Sequence, residues 1–181
     1  MTRASALLLL SLCGCAGGGL AAGSGAPSTT HMETGGGAFD ITSTADARVA
    51  SHAVAAPAER VWAALPAAFQ AVGLTGGVVS ESERVYGTPL LRFRGRLAGE
   101  RASRFLRCGT NPIGSPAADL YDLEAVVRAA VQPDAAGAAR LEVLVEATAA
   151  PPAGGTRTPC TSTRELEDRI AAQVRQAVGG A

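Results

Sequence analysis

The sequence predicts an α+β domain: one antiparallel sheet of about five or six strands with two helices packed on one face, in the order β-α-β-β-β-β-β-α. Three observations predict it. Residues 120–131 and 140–149 alternate apolar and polar side chains, with Pro133-Asp134-Ala135-Ala136-Gly137 between them. Residues 57–72 and 162–178 repeat apolar positions at helical spacing. The links between successive strands are of hairpin length, which suits antiparallel neighbours.

Taken in chain order, residues 15–46 are mostly Gly, Ala, Ser and Thr and lack the periodicity to bury a core, so they read as a flexible tether. Phe39-Asp40-Ile41 is a short extended piece within it, and His31 is expected to be solvated. Residues 47–181 are the right size for one domain. Arg48 to Ala55 reads as a first strand, with Val49 and Val54 as its apolar positions. Pro57 then opens a helix at a favoured early position, with Glu59 in the first turn and Gly73 as the stop. Val61, Leu65, Ala68 and Val72 form its stripe, flanked by Trp62 and Phe69, while Pro66 removes one internal hydrogen bond.

Val78 to Tyr86 is expected as one strand, ended by the Gly87-Thr88-Pro89 turn. Leu91 to Leu97 alternates, with Leu91, Phe93 and Leu97 on one face and Arg92, Arg94 and Arg96 on the other. Gly99-Glu100 then turns the chain into a strand from Ala102 to Cys108. Residues 111–116 hold two prolines and a glycine and must be loop, and Pro151 to Pro159 is a second loop. The last helix begins at a capping box, Ser162-Thr163-Arg164-Glu165, carries Leu166, Ile170, Val174 and Val178 every four residues, and ends at Gly179-Gly180.

The first residues carry a different signal. Met1-Thr2-Arg3 supplies a positive charge, Ala4 to Leu12 is a short apolar stretch rich in Leu, and Leu12-Cys13-Gly14-Cys15 comes next. This resembles the lipobox of bacterial lipoproteins. The resemblance implies a signal peptide over residues 1–14, cleavage before Cys15 and lipidation of the Cys15 sulfur, giving an envelope protein on the periplasmic face of the outer membrane. Multiple acyl chains anchor stably where one alone is marginal. With Cys13 in the leader and Cys15 lipidated, only Cys108 and Cys160 remain, and two thiols in an oxidising compartment read as one disulfide. With no nearby His they make a poor zinc site.

Composition excludes several functions. All 16 basic residues are Arg and 16 acidic residues balance them, so nothing supplies the surplus charge a general nucleic-acid binder needs. No apolar run reaches the roughly 20 residues of a spanning helix. With 38 Ala and 22 Gly against few aromatics, the core should be thin and closely packed, and a small-molecule ligand is not expected.

No phosphate-loop, Gly-x-Ser-x-Gly or His-Glu-x-x-His pattern occurs, and His52 is the one His of the domain. Neither a catalytic residue, a metal site nor a cofactor is predicted, and the chain reads as non-enzymatic. Asp119, Asp122 and Glu124 form the densest acidic group, read as a solvated or salt-bridged face. The functional lead is an arginine cluster in which Arg92, Arg94, Arg96, Arg104 and Arg107 would form one surface for an anionic partner, since guanidiniums suit carboxylates and phosphates.

The run Val54-Ala55-Ala56-Pro57-Ala58-Glu59-Arg60-Val61-Trp62-Ala63-Ala64-Leu65, with its strand-helix-strands-helix order, resembles the opening of helix-grip domains. Two groups share it: the START-like or polyketide-cyclase superfamily, and the BamC-type domains of outer-membrane lipoproteins. The first implies an apolar ligand held between sheet and last helix. The second implies a scaffold or interaction role with an envelope protein partner, and the lipobox favours it.

Overall fold

The computed structural model describes residues 28–34, 37–43, 49–134 and 137–180. The segment expected as a signal peptide, the lipobox-like Leu12-Cys13-Gly14-Cys15 and the expected lipidation site Cys15 lie outside the described residues. Within the segment expected as a tether, β1 (Ser28–Thr34) and β2 (Gly37–Ser43) pair antiparallel as a separate two-stranded sheet, so this stretch is not coil throughout. Phe39-Asp40-Ile41 falls inside β2.

The domain is α+β, as expected, but its sheet has eight strands among the described residues. Its centre is two twelve-residue strands, β10 (Asp122–Pro133) and β11 (Ala139–Ala150), paired rung for rung along their whole length. Each long strand shares its outer edge between two short ones. Along β10 lie β6 (Leu91–Arg94), opposite residues 122–125, and β5 (Val85–Gly87), opposite residues 128–130. Along β11 lie β3 (Ala50–Val54), opposite 139–143, and β12 (Thr158–Ser162), opposite 147–149. β4 (Gly77–Ser80) and β9 (Leu106–Arg107) add to β5 and β12. Both ends of the sheet are therefore five strands wide.

Thr88 spans the gap between β5 and β6. Its N–H donates to the Val127 carbonyl at 2.9 Å, and its side-chain oxygen accepts from the Val127 N–H at 3.1 Å. One side chain thus stands in for a backbone acceptor that neither short strand supplies.

Four expected elements come out differently, each for a local reason. Residues 78–86 are not one strand. Ser80 to Arg84 turns the chain back, with the Ser80 hydroxyl accepting from the Glu83 N–H and Arg84 at φ 50°, so β4 and β5 form a hairpin. The Leu91–Leu97 strand breaks at Gly95, whose φ of 72° rotates the next residues out of the sheet. Beyond it β7 (Arg96–Leu97) and β8 (Glu100–Arg101) make their own hairpin about Ala98-Gly99, both with positive φ. In place of a strand from Ala102 to Cys108 there is a 3-10 turn, Ala102–Arg104, then β9. Pro159, expected in a loop, lies in β12.

Two helices lie on one face. Helix α1 (Ala58–Ala71) runs unbroken through the exposed Pro66 and buries Val61, Leu65, Ala68 and Phe69. Helix α2 (Glu165–Gly179) buries Leu166, Ile170 and Val174. These pack with Leu123, Val127, Leu141, Val143 and Val145 of the inner sheet face into one core. Phe69 and Trp62 meet Tyr86 edge-on, with ring centroids 5.0 and 6.4 Å apart.

The predicted capping box does not form. Ser162 belongs to β12, and its hydroxyl accepts from the Arg164 N–H at 3.0 Å. Arg164 adopts φ 76° as the residue before the helix, with no side chain capping it, and Glu165 turns outward to arginines. The strand outlasts the sequence's helix-start signal because Ser162 pairs with Leu106 of β9.

Candidate functional site

The five arginines expected on one surface occupy four places. Arg92 and Arg94 project from the outer face of β6, away from the helices, because Leu91 and Phe93 take the core side. Register sets each beside an acid of β10: Arg92 Nε is 3.1 Å from Glu124 Oε1, and Arg94 Nη2 is 2.6 Å from Asp122 Oδ1. Arg157 reaches across β11 to hold Glu124 with both terminal nitrogens, at 2.5 and 3.0 Å. Arg96, displaced by the break at Gly95, folds back onto the Gly99 carbonyl at 2.7 Å. Arg107 lies on β9, four strands from β6 or about 19 Å. It is exposed and has no acidic partner among the described residues.

Arg104 joins an array that sequence inspection does not assemble. Its Nη1 is 2.5 Å from Glu100 Oε2 and its Nη2 is 3.0 Å from Glu165 Oε1. Arg169 closes the ring, with Nε 2.9 Å from Glu165 Oε1 and Nη1 against Glu100 Oε1. Two arginines and two glutamates thus alternate around a closed circuit joining β8 to the first turns of α2. The Arg169 guanidinium also lies 5.2 Å from the Phe105 ring centroid. Hydrogen bonds from Arg169, then Arg104, hold the carboxyls of Glu100 and Glu165 below their ordinary values, and the bonds to Glu100, then Glu165, hold Arg169 above its own.

Two of the three grouped acids form a salt-bridged face and the third serves a turn. Asp122 and Glu124 are taken up by arginines, and Asp119 accepts from the Ser103 N–H and hydroxyl, both at 2.8 Å.

Two titratable groups lie on the helix side of the sheet. His52 of β3 sits opposite Leu141, with its Nε2 enclosed and 3.9 Å from Asp168 Oδ1 of α2. Burial lowers its pKa, Asp168 opposes this, and Arg175 and Arg164 add to it, so the imidazole is held neutral. No Ser or Cys hydrogen-bonds it among the described residues, so it does not make a nucleophile–base pair. Glu167 of α2 is 0% exposed, in the middle of the helix's apolar stripe. Nothing in the sequence distinguishes it from the first-turn acids Glu165 and Asp168 beside it.

Cys108 and Cys160 form a disulfide, as expected, tying the end of β9 to β12. Beside it an open depression of about 270 Å³ is lined by Leu106, Arg107, Cys108, Thr110 and Pro116. It lies beside the disulfide rather than beneath α2. Among the described residues, no three His, Cys, Asp or Glu side chains are grouped to hold a metal, and no helix is long and apolar enough to cross a membrane. Chemically, most of these surface charges satisfy one another, while Arg107 and the buried Glu167 do not take part. No model of a known protein family matches the chain. No curated protein matches it either.

Proposed function

We propose that the chain is a lipid-anchored protein of the cell envelope whose domain is a non-enzymatic scaffold or interaction module for another envelope protein. The observation that carries this reading is the Cys108–Cys160 disulfide. A disulfide suits an oxidising compartment outside the cytoplasm. It also consumes both cysteines of the domain, leaving Cys15, at the lipobox-like Leu12-Cys13-Gly14-Cys15, to carry the lipid. The outer membrane, facing the periplasm, is the leaflet this reading favours.

A protein partner fits better than an apolar ligand held beneath the last helix. Leu166, Ile170 and Val174 are fully buried there against the sheet and α1. The arginines of β6, with their paired acids, offer polar relief on the outer sheet face, while Arg107 is free to meet an anionic group.

The test is expression in a diderm host with a clickable fatty acid, then fractionation. The wild-type chain should incorporate label and sediment with the outer membrane. Cys15→Ala should lose the label and appear in the soluble fraction. A Cys15→Ala chain that stays in the membrane fraction overturns the anchor. Crosslinking in intact cells then identifies the partner, and a chain that crosslinks to no protein overturns the interaction role.

A further inference from the structure

Helix α2 buries Leu166, Glu167, Ile170, Ala171 and Val174, each at 0% exposure. At helical spacing Glu167 falls between the outer members of this stripe, so its carboxyl points into the packed interface rather than along its rim. Both of its oxygens are enclosed with no hydrogen-bond partner. A carboxylate is among the costliest groups to bury unpaired, whereas the protonated acid is far cheaper.

The groups around it do not remove that cost. On its own helix end are Arg164, which favours the ionised form, and Asp168, which opposes it. The Ser162 hydroxyl from β12 and the backbone N–H of Glu167 itself lie close enough to favour ionisation, but neither forms a hydrogen bond of good geometry with the carboxyl. From β3 comes His52, whose Nε2 faces Asp168 at 3.9 Å. Arg104 and Glu100, from the 3-10 turn and β8, are engaged with Glu165 and Arg169. Arg60 of α1 donates to the Val178 carbonyl at the far end of α2. β11 turns Glu142 and Glu146 to the opposite sheet face. Burial is the dominant influence, and it raises the Glu167 pKa above the ordinary carboxylate value.

The same junction has the geometry of a hinge. Arg164, at φ 76°, links β12 to α2 in a conformation strained for any residue but glycine. The helix start lacks a side-chain cap and is held from outside by the Arg–Glu ring and by Thr163, which donates to the carbonyls of Arg104 and Phe105. On the other side of the hinge, β12 is fastened covalently through Cys160.

We propose that Glu167 is a proton-controlled latch on α2. With its carboxyl protonated the helix lies docked. When the proton leaves, the first turns of α2 lift about Arg164 and uncover Leu166, Ile170 and the sheet beneath them, while the disulfide keeps β12 in place. The latch stands whether or not the envelope role is correct, because it concerns the fold alone.

The direction with pH is set by linkage. The docked state holds the Glu167 proton more tightly than the released state, so docking is strongest below the ordinary carboxylate value and weakens as pH rises through the raised one. His52 acts oppositely. Its pKa is lowered, so its contribution is lost as pH falls below the ordinary imidazole value, which separates the two by sign.

Amide hydrogen exchange read by mass spectrometry, on the full chain with its disulfide intact, tests the latch. Rates are corrected for the intrinsic pH dependence of amide exchange from about pH 5 to about pH 9. Protection over residues 166–174 should fall by up to about tenfold per pH unit between the ordinary carboxylate value and the raised Glu167 pKa, the response to one proton, and level off above it, with β10 and β11 unchanged. In Glu167→Gln, which keeps the volume but cannot ionise, the fall with rising pH should disappear, leaving only the opposite response of His52 at the acid end. A wild-type profile that does not fall with rising pH, or a fall retained in Glu167→Gln, overturns the proposal. If Glu167→Gln does not fold, carbon-13 titration of the wild-type carboxyl decides, and a Glu167 titrating at the ordinary glutamate value overturns it.

Discussion

Gly87 shows how little freedom a single position has in this sheet. A Cβ there would sit 2.8 Å from the Val127 carbonyl oxygen and 3.2 Å from Cγ of Arg128. The carbonyl belongs to the central strand and cannot give way, so the chain itself must shift. Gly87→Ala should therefore destabilise the domain by about 1–3 kcal/mol, read as a lower urea midpoint at unchanged slope. Gly77, its cross-strand partner, has open space where a Cβ would go, so Gly77→Ala is the control and should move the midpoint little. Equal midpoints for the two variants would show that close approach at Gly87 is not what the position requires.

Sequence reading resolved some residues and missed others for reasons that are local. Cys108 and Cys160 could be paired by counting, because no other thiol of the domain competes. Glu167 could not be picked out. Acids in the first turn of a helix are ordinarily placed to meet its dipole, and Glu165 and Asp168 flank it with that appearance. Its burial is set by the rotation of the helix against the sheet, which depends on where β12 ends. The arginine surface failed at Gly95. Strict alternation puts Arg92, Arg94 and Arg96 together, but one positive φ removes Arg96, and the β-sheet order carries Arg107 to the far edge.

Among the elements, β10, β11 and the two helices were legible because their patterns run long enough for period two or period 3.6 to stand out. β10 begins at Asp122 rather than Leu120, because Ala117–Asp119 forms a 3-10 turn. The short elements were not legible. β9 has two residues, and β12 contains a proline and no large apolar side chain. Their pairing rests on two rungs, Thr161 with Arg107 and Ser162 with Leu106, supplemented by the disulfide. Cys108 and Cys160 are separated by 52 positions, so opening the bridge restores a large loop's entropy to the unfolded chain. Cys108→Ser with Cys160→Ser should cost about 4 kcal/mol, and reduction of the wild type should lower the thermal midpoint to match. A reduced protein as stable as the oxidised one would remove this role.

For the molecule as a whole, the zero net charge describes a neutralised surface rather than an uncharged one. Arg84 with Glu59, Arg94 with Asp122 and the Arg104–Glu100–Arg169–Glu165 ring place opposite charges within reach across distant parts of the chain. Exposed pairs of this kind contribute little stability each, so the fold depends on the core beneath them. That core is centred on β10 and β11, flanked on both edges and covered by both helices. Their amides should exchange only through global unfolding, whereas the β7–β8 hairpin, outside the main sheet, should exchange through local opening. Native-state exchange in increasing denaturant checks this, and β10 amides that open as readily as those of β7 would contradict it.

The three residues between β5 and β6, Thr88 to Leu90, have a consequence for how this sequence can drift. β5 and β6 lie end to end along one edge of β10, with Thr88 bonded to Val127 at the joint. A single-residue insertion or deletion there would slide β6 by one register, turning Leu91 and Phe93 to water and Arg92 and Arg94 into the core. The Asn111–Ser115 loop is closed by its own bonds, Asn111 N–H to the Ser115 carbonyl and Gly114 N–H to that of Asn111. It can lengthen without moving a strand. Length variation in descendants of this chain should therefore gather in that loop and spare the joint at Thr88.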